Sequence, residues 1–165
     1  MYTPSDNQII VGSADMMVSK DASATLVTYA VGSGVGVTFY DPVARVGGLF
    51  HAKLPDSTRC PDRSATQPWF FVDTGLAEML QAAYALGAVK QRLVVKFAGG
   101  AEILDVSKVF NTGYRNIAAV TTFLARNTMR LHASNTGGRD SRTVRLGLAT
   151  GAVMLDIPCK NSVNL

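Results

Sequence analysis

The sequence predicts an α/β fold with an α+β-like order of elements: a single compact layered domain with a mixed β-sheet and two main helices. Three observations support this class. First, 165 residues suffice to bury one sizeable core, and 1–165 contains no internal repeat. Second, a content of 47% hydrophobic and 17% charged residues is ordinary for a globular protein. Third, several strand patterns precede the first long helix pattern and several follow the last, unlike a regularly alternating doubly wound fold.

Hydrophobic periodicity assigns the first elements in chain order. Three stretches rich in β-branched and aromatic residues predict strands over 8–18, 24–40 and 45–54. The strongest helix is predicted over 70–86, because apolar residues recur there at helical spacing and Gly87 can end it.

The second half of the chain repeats this mixture of patterns. Its predicted elements are a strand over 91–98, a helix over 114–128, and short strands over 129–134, 141–148 and 152–157. The two ends, 1–7 and 160–165, are expected to be flexible.

The net charge of +4 and the isoelectric point near 9.3 raise the question of an acidic partner. Basic residues are scattered, however, and gather only at Arg139, Arg142 and Arg145. The alternation in 143–148 predicts a strand with a solvated arginine face, and no aromatic residues interleave to stack on bases. The sequence therefore predicts no nucleic-acid partner.

The cysteines and the hydropathy of the chain limit the metal sites, membrane segments and cellular location that we expect. Cys60 and Cys159 lie far apart with no nearby histidine pair, so we expect no zinc site, no other metal and no cofactor. No stretch reaches the roughly 18 apolar residues of a membrane helix, and the start of the chain lacks the pattern of a signal peptide. We expect a cytoplasmic protein without membrane insertion.

Three glycines alternate with other residues within 30–37, at Gly32, Gly34 and Gly36. A nucleotide-binding loop is disfavoured, because the third glycine comes one residue too early for G-x-G-x-x-G and a strand pattern, not a helix, follows. The simpler interpretation is that small residues let two strands or a loop pack closely.

Further motifs accompany this stretch along nearly the whole chain. They are Asp41-Pro42, Gly47-Gly48 with His51 and Leu54-Pro55, Asp73-Thr74, Lys96-Phe97-Ala98-Gly99-Gly100-Ala101, Thr112-Gly113-Tyr114-Arg115-Asn116, Asn135-Thr136-Gly137-Gly138 with Arg142, and Thr150-Gly151. In this order and spacing, the chain resembles the CheD family of chemoreceptor glutamine deamidases. The resemblance implies a compact α/β layered fold.

Carried over position by position, the resemblance puts the family's histidine on His51 and its active-site threonine on Thr28. The family's cysteine nucleophile falls on Gly34, which has no side chain. Hydrolysis of a glutamine amide by this route needs a thiolate, and loss of the nucleophile typically costs about 10⁴ to 10⁶ in turnover. The sequence therefore predicts a catalytically inactive chain.

Two residues are candidate substitutes for the missing nucleophile. Ser33 is adjacent, but in an extended segment its side chain points to the face opposite to that of position 34. Cys60 lies in a polar, Pro-flanked stretch that favours an exposed loop and an ordinary unpaired cysteine.

The remaining predicted site residues fall into two groups. Ser33 and two glycine pairs are candidates for substrate binding, because paired glycines bring backbone N–H groups close to a ligand amide; the alternative for each pair is a turn with positive φ. These pairs are Gly99 with Gly100 and Gly137 with Gly138. The exposed side of helix 70–86 is Ala-rich and nearly uncharged, and with Trp69, Phe70 and Phe71 it forms the predicted partner-docking surface.

Three hypotheses about function remain open. The first is an inactive deamidase-like protein that binds the family's partners, which the resemblance implies to be the cytoplasmic domain of a chemoreceptor (a methyl-accepting chemotaxis protein) or a CheC-type phosphatase. The second is an active deamidase that uses a substitute residue or carries an introduced mutation at Gly34. The third is an unrelated α/β module that binds an acidic ligand.

Overall fold

A computed structural model describes residues 7–104, 107 and 109–165 of the chain. The strands are β1 Gln8–Ile10, β2 Asp15–Ser19, β3 Thr25–Val31, β4 Val35–Asp41, β5 Val46–Ala52, β6 Val94–Gly99, β7 Leu131–Thr136, β8 Arg142–Gly147, β9 Val153–Asp156 and β10 Val163–Asn164. The helices are α1 Pro61–Thr66, α2 Val72–Ala85 and α3 Thr112–Arg126. Short 3₁₀ turns cover Pro68–Phe70 and Lys90–Arg92.

The mixed α/β class is confirmed, but the strands form two sheets and not one. One sheet has the order β1-β3-β8-β9-β10 and the other has the order β2-β5-β4-β6-β7. Each contains one parallel pair, β1 with β3 and β6 with β7, among antiparallel neighbours. The pattern of each strand had predicted its local conformation and left open which neighbour it would pair with.

The second sheet is buried on both of its faces. On one face, Phe50 of β5 and Phe97 of β6 pack with α2 and α3 in one hydrophobic cluster. On the other face, Leu49 and Ala98 of the same strands pack with β3, β8 and β9 of the first sheet. Every residue of β4 and β5 is buried, so neither strand alternates between buried and exposed residues as a strand of a one-sided sheet does.

Close packing of α2 on this sheet depends on Gly75. A Cβ atom at Gly75 would lie 2.1 Å from Cζ of Phe50, so no larger residue fits without displacing the ring. Helix α2 begins two residues later than predicted, because Pro68–Phe70 forms a separate 3₁₀ turn before it. Among the described residues, no helix is long and apolar enough to cross a membrane.

Two predicted strands are divided in the structure. The stretch 8–18 separates into β1 and β2, and 24–40 separates into β3 and β4, with the members of each pair in different sheets. The second division falls at residues 32–34, which adopt a bend between the sheets. This bend places Gly34 at the beginning of β4, beside the end of β5.

The structure describes in full only one of the two chain ends that were predicted to be flexible. Residues 1–6 of the predicted flexible end lie outside the described residues. In the other predicted flexible end, β10 pairs with β9, and the N–H of Leu165 donates to the carbonyl of Val153 at 2.8 Å.

Candidate active-site cleft

A cavity of about 580 Å³ opens where the bend at 32–34 meets the end of β5. Polar side chains from distant parts of the sequence line it, together with an apolar mouth. The lining residues are Ser13, Ala30, Gly32, Ser33, Gly34, His51, Lys53, Glu102, Ile103, Leu104, Ser107, Phe110 and Thr112. Pairing of Val35 with Ala52 brings the bend and His51 together.

His51 and Thr28 form a buried pair at the base of this cleft. Oγ1 of Thr28 lies 2.8 Å from Nδ1 of His51, and the two residues are 0% and 5% exposed. Burial, helped by the positive charge of Lys53, lowers the pKa of His51 from 6.5 to about 4. The imidazole is therefore neutral at physiological pH, and its contact with Thr28 fixes the ring so that Nε2 faces Gly34.

Gly34 lies directly in front of this imidazole. A Cβ atom at Gly34 would be 3.4 Å from Nε2 of His51, so a side chain at this position would reach the ring nitrogen. The same Cβ atom would be only 2.3 Å from the carbonyl oxygen of Ala52. The bend therefore lies closer to β5 than any residue with a side chain permits.

The bend is held through three successive carbonyl groups. The carbonyl of Gly32 accepts the N–H of Ala101 at 2.9 Å, and the carbonyl of Gly34 accepts the N–H of Gly100 at 2.7 Å. The carbonyl of Ser33 accepts Nδ2 of Asn116 at 2.8 Å. Backbone from the end of β6 and one side chain of α3 thus fix the position of Gly34.

The backbone N–H groups of Gly100 and Gly137, two of the predicted substrate-binding glycines, are engaged within the protein. The N–H of Gly100 is bonded to Gly34 and the N–H of Gly137 donates to the carbonyl of Gly99 at 2.9 Å, so neither is available to a ligand amide. Gly99 has a φ of +122°, and a Cβ there would lie 2.4 Å from the carbonyl oxygen of Gly34. Gly138 accepts the N–H of Glu102 through its carbonyl. Gly99 and Gly100 thus contact the bend, and Gly137 and Gly138 bond to the end of β6 and the segment that follows it. Ser33 is the predicted binding residue that lines the cavity.

Sequence reasoning missed three polar residues of the cleft. Lys53 and Glu102 line the cavity, and Asn116 is 0% exposed behind it. Oε1 of Glu102 accepts the N–H of Tyr114 at 3.0 Å, which places a carboxylate at the beginning of α3. Asn116 belongs to one of the motifs that carried the family resemblance, but spacing alone gave no signal that the three residues would converge here.

The mouth of the cleft is more apolar than the sequence suggested. Leu104 is 92% exposed and Phe110 is 71% exposed, and both line the cavity with Ile103. Val109 and Tyr114, which do not line the cavity, are each 70% exposed.

The predicted docking surface at 69–71 needs one correction. Phe71 is fully buried against the helix-side core, so its assignment to a partner-docking surface is wrong. Trp69 and Phe70 are partly exposed and remain candidates. The guanidinium of Arg63 covers the Phe70 ring at 3.9 Å from its centroid.

The three gathered arginines do not form a common basic surface. Arg142 is 6% exposed, and Nε and Nη2 of its guanidinium donate to Oδ1 of Asn135 at 3.1 and 2.9 Å. Arg145 forms an ion pair with Asp156 at 2.8 Å. Two of the three side chains are thus engaged within the protein.

Nucleophiles and metal ligands are sparse around the cleft. Cys60 and Cys159 are exposed free thiols, and neither is among the described residues that line the cavity. Within the part of the chain that the structure describes, no three His, Cys, Asp or Glu side chains converge as a metal site would require.

Fold and cleft together define an α/β protein in which a buried histidine–threonine pair faces a glycine across a cavity. Comparison with known proteins then identifies the family: the model of "CheD chemotactic sensory transduction" matches residues 53–156. A protein of Syntrophus aciditrophicus named "Probable chemoreceptor glutamine deamidase CheD 1" is 42% identical over 147 residues, which cover 89% of this chain and 92% of that protein. A Pyrococcus horikoshii protein named "Probable chemoreceptor glutamine deamidase CheD" is 40% identical over 150 residues, covering 90% and 91%.

This chain belongs to the CheD family. The resemblance seen in the sequence is confirmed, and the hypothesis of an unrelated binding module is wrong. Among solved structures, a Neisseria meningitidis protein of family DUF152 matches with a TM-score of 0.43 and 16% identity, over 80% of this chain and 62% of that one. That match carries no argument about function.

Proposed function

We propose that this protein is a CheD-like chemotaxis protein that has lost deamidase activity and acts in the cytoplasm by binding the cytoplasmic domain of a chemoreceptor. The observation that carries the proposal is the absence of a side chain at Gly34, 3.4 Å from Nε2 of His51 for a Cβ atom built there. Without a nucleophile, His51 has no thiol proton to accept, and turnover falls by about 10⁴ to 10⁶.

The rest of the cleft suits binding of an amide side chain. His51 and Thr28 are still paired, and Lys53 and Glu102 add charged groups beside them. The neutral imidazole of His51 offers a nitrogen to a polar side chain without the cost of burying a charge. A receptor glutamine held at this site would therefore be bound without being cleaved.

The partner is inferred from the relatives and from the mouth of the cleft. The relatives cited above are named as probable chemoreceptor glutamine deamidases, which supports a chemoreceptor as the partner here. Exposed apolar side chains at Ile103, Leu104 and Phe110 border the cavity and would bury apolar surface of a receptor segment. A CheC-type phosphatase is the alternative partner.

A second candidate function is deamidation with Ser33 as the substitute nucleophile. The observation in its favour is that Ser33 lines the same cavity as His51. The hydroxyl would donate its proton to the imidazole as it attacks the amide carbon, and the imidazole would return that proton to the departing ammonia. Water would then hydrolyse the resulting ester, as in serine hydrolases.

Ammonia release from a glutamine-containing receptor cytoplasmic fragment separates the two candidates. We expect no release by the native protein and none by Ser33→Ala. Native activity that Ser33→Ala abolishes would establish the second candidate and overturn the first. Gly34→Cys is a third arm: its new Cβ requires β5 to shift at Ala52, and activity of the folded variant would show that the rest of the site still supports deamidation.

Binding of the same fragment tests the positive half of the proposal. We expect Phe110→Ser to weaken binding about tenfold, because loss of one well-placed aromatic contact costs on the order of 1 kcal/mol or more. Val43→Ser is the matched control, since Val43 is 70% exposed against 71% for Phe110 and follows the opposite end of β4. Native protein without affinity for the receptor fragment or for a CheC-type phosphatase contradicts the proposal.

A further inference from the structure

Asn116 connects the two chain segments that form the cleft. Its Nδ2 donates to the carbonyl of Ser33 at 2.8 Å and to the carbonyl of Lys53 at 2.9 Å. Ser33 precedes Gly34 directly, and Lys53 follows His51 by two residues. One amide group from α3 therefore bridges the bend to the end of β5, across sequence separations of 83 and 63 residues.

The chemistry of this contact requires asparagine in one orientation. Two carbonyl oxygens face the amide, so the NH₂ group must point toward them and Oδ1 must point away. Among the described residues no group donates to this Oδ1, although it is buried. A buried acceptor without a donor destabilises the fold, so stability by itself does not explain the choice of this residue.

Pairing of Val35 with Ala52 joins the strand after the bend to β5, but two carbonyl groups of the bend itself are bonded to a different segment. The carbonyls of Gly32 and Gly34 are held by backbone N–H groups of Ala101 and Gly100, which follow β6. Helix α3 itself is tightly seated, because a Cβ at Gly113 would lie 2.3 Å from the carbonyl oxygen of Gly100. Asn116 therefore projects from a fixed support onto the two segments whose separation decides how position 34 faces His51.

We propose that Asn116 is a positioning residue that sets the distance between position 34 and the imidazole of His51. It acts through the Ser33 and Lys53 carbonyls and does not itself line the cavity. This inference rests on the proposed function only in taking His51 and position 34 as the centre of the site, and its test involves neither receptor nor ammonia.

The two histidines of the chain make the test direct. A pH titration of the imidazole signals by NMR follows His51 and His132, and the exposed His132 serves as the internal reference. In Asn116→Ala the bend separates from β5, water reaches His51, and its pKa rises by about one unit or more, a tenfold change in proton affinity. We expect the shift to be confined to the His51 signals.

Asn127→Ala is the matched control. Asn127 lies just beyond the end of α3, and its Nδ2 donates to the carbonyl of Phe123 at 2.8 Å. This variant also loses a side-chain amide contact of α3, but far from the bend, and it leaves the titration of His51 unchanged. An unchanged His51 titration in folded Asn116→Ala overturns the proposal, as does an equal shift in both variants.

If the alanine variant does not fold, Asn116→Ser is titrated in its place, because its hydroxyl keeps one hydrogen-bond donor. Its hydroxyl is too short to reach both carbonyls, so the His51 titration still shifts upward; native titration in the folded serine variant overturns the proposal.

Discussion

Strand β4 ends at Asp41, whose carboxylate is fully buried and accepts the N–H groups of Val43, Ala44 and Val89 as well as the Arg92 guanidinium. At its beginning, β4 lies beside a buried neutral histidine, a glycine and an asparagine oxygen without a described donor. Strand β4 thus has buried polar groups at both of its ends. The carboxylate at the Asp41 end has hydrogen-bond partners for its oxygens, whereas the Asn116 oxygen near the other end has no described donor.

The electrostatics of the two ends differ in the same way. Burial raises the pKa of Asp41, but the bonds from Arg92 and the backbone N–H groups outweigh burial and hold it well below its usual range. At the other end, burial dominates and lowers the pKa of His51 to about 4. Hydrogen bonds and the Arg92 charge therefore offset burial at the Asp41 end, whereas at the His51 end burial is not offset and favours the uncharged imidazole.

The largest expected effect on stability comes from removing the buried charge of Asp41. Asp41→Asn removes the charge opposite Arg92, so we expect the free energy of unfolding to fall by about 3 kcal/mol or more. Urea unfolding at pH 7 measures it. Asp156→Asn is the matched control, because the carboxylate of its ion pair with Arg145 is 40% exposed and such pairs contribute at most about 1 kcal/mol. Equal losses in the two variants would contradict the comparison.

A pH series of unfolding separates the two ends in the native protein. His51 has a pKa near 6.5 when unfolded and about 4 when folded, so the unfolded state takes up its proton first as the pH falls. Stability from this residue is present above pH 6.5 and is lost toward pH 4, by about 3 kcal/mol. Asp41, with a depressed folded pKa, stabilises above its unfolded pKa and loses that contribution only at lower pH.

The control for this pH series is His51→Leu. We expect its unfolding free energy to vary less between pH 6.5 and 4 than that of the native protein, while the decline at lower pH remains. A native protein whose stability is flat between pH 6.5 and 4 would show that His51 is solvated, contrary to its burial.

The smallest expected effect distinguishes two glycines of the same region. In Gly34→Ala the new Cβ would lie 2.3 Å from the backbone oxygen of Ala52, so we expect a loss of about 1 to 3 kcal/mol. In Gly36→Ala the nearest atom is Cγ2 of Val144 at 3.1 Å, a side-chain contact that can adjust, so stability changes by less than about 1 kcal/mol. Thermal unfolding compares the two, and a greater loss in Gly36→Ala would contradict the close approach of the bend to β5.

The sequence predicted the secondary-structure elements correctly but not which other parts of the chain pack against them. The helix predicted over 114–128 is α3, and the strand predicted over 141–148 is β8, because both patterns depend on neighbours within a few residues. Phe71 looked like surface next to an exposed helix face, yet it is buried because the segment before α2 folds back onto β5. A periodic pattern gives the direction of a side chain within its element but not what covers it.

The candidate site shows the same limit. The motifs pointed to His51, Thr28 and Gly34, and the structure brings these three together. Glycines 99, 100, 137 and 138 were predicted to contact a ligand, but backbone bonds of the bend and its neighbours engage Gly100 and Gly137. Asn116 gave no signal of its own, because its partners lie 83 and 63 residues away along the chain.

The sequence by itself determined the α/β class, the resemblance to the CheD family and the lack of a side chain at position 34. Each of these follows from residue identity, order or local spacing. Only the tertiary structure decided the division into two sheets, the low pKa of His51 and the bridge that Asn116 makes across the cleft. Those properties come from burial and from contacts between distant segments, which depend on how the two sheets and the helices pack.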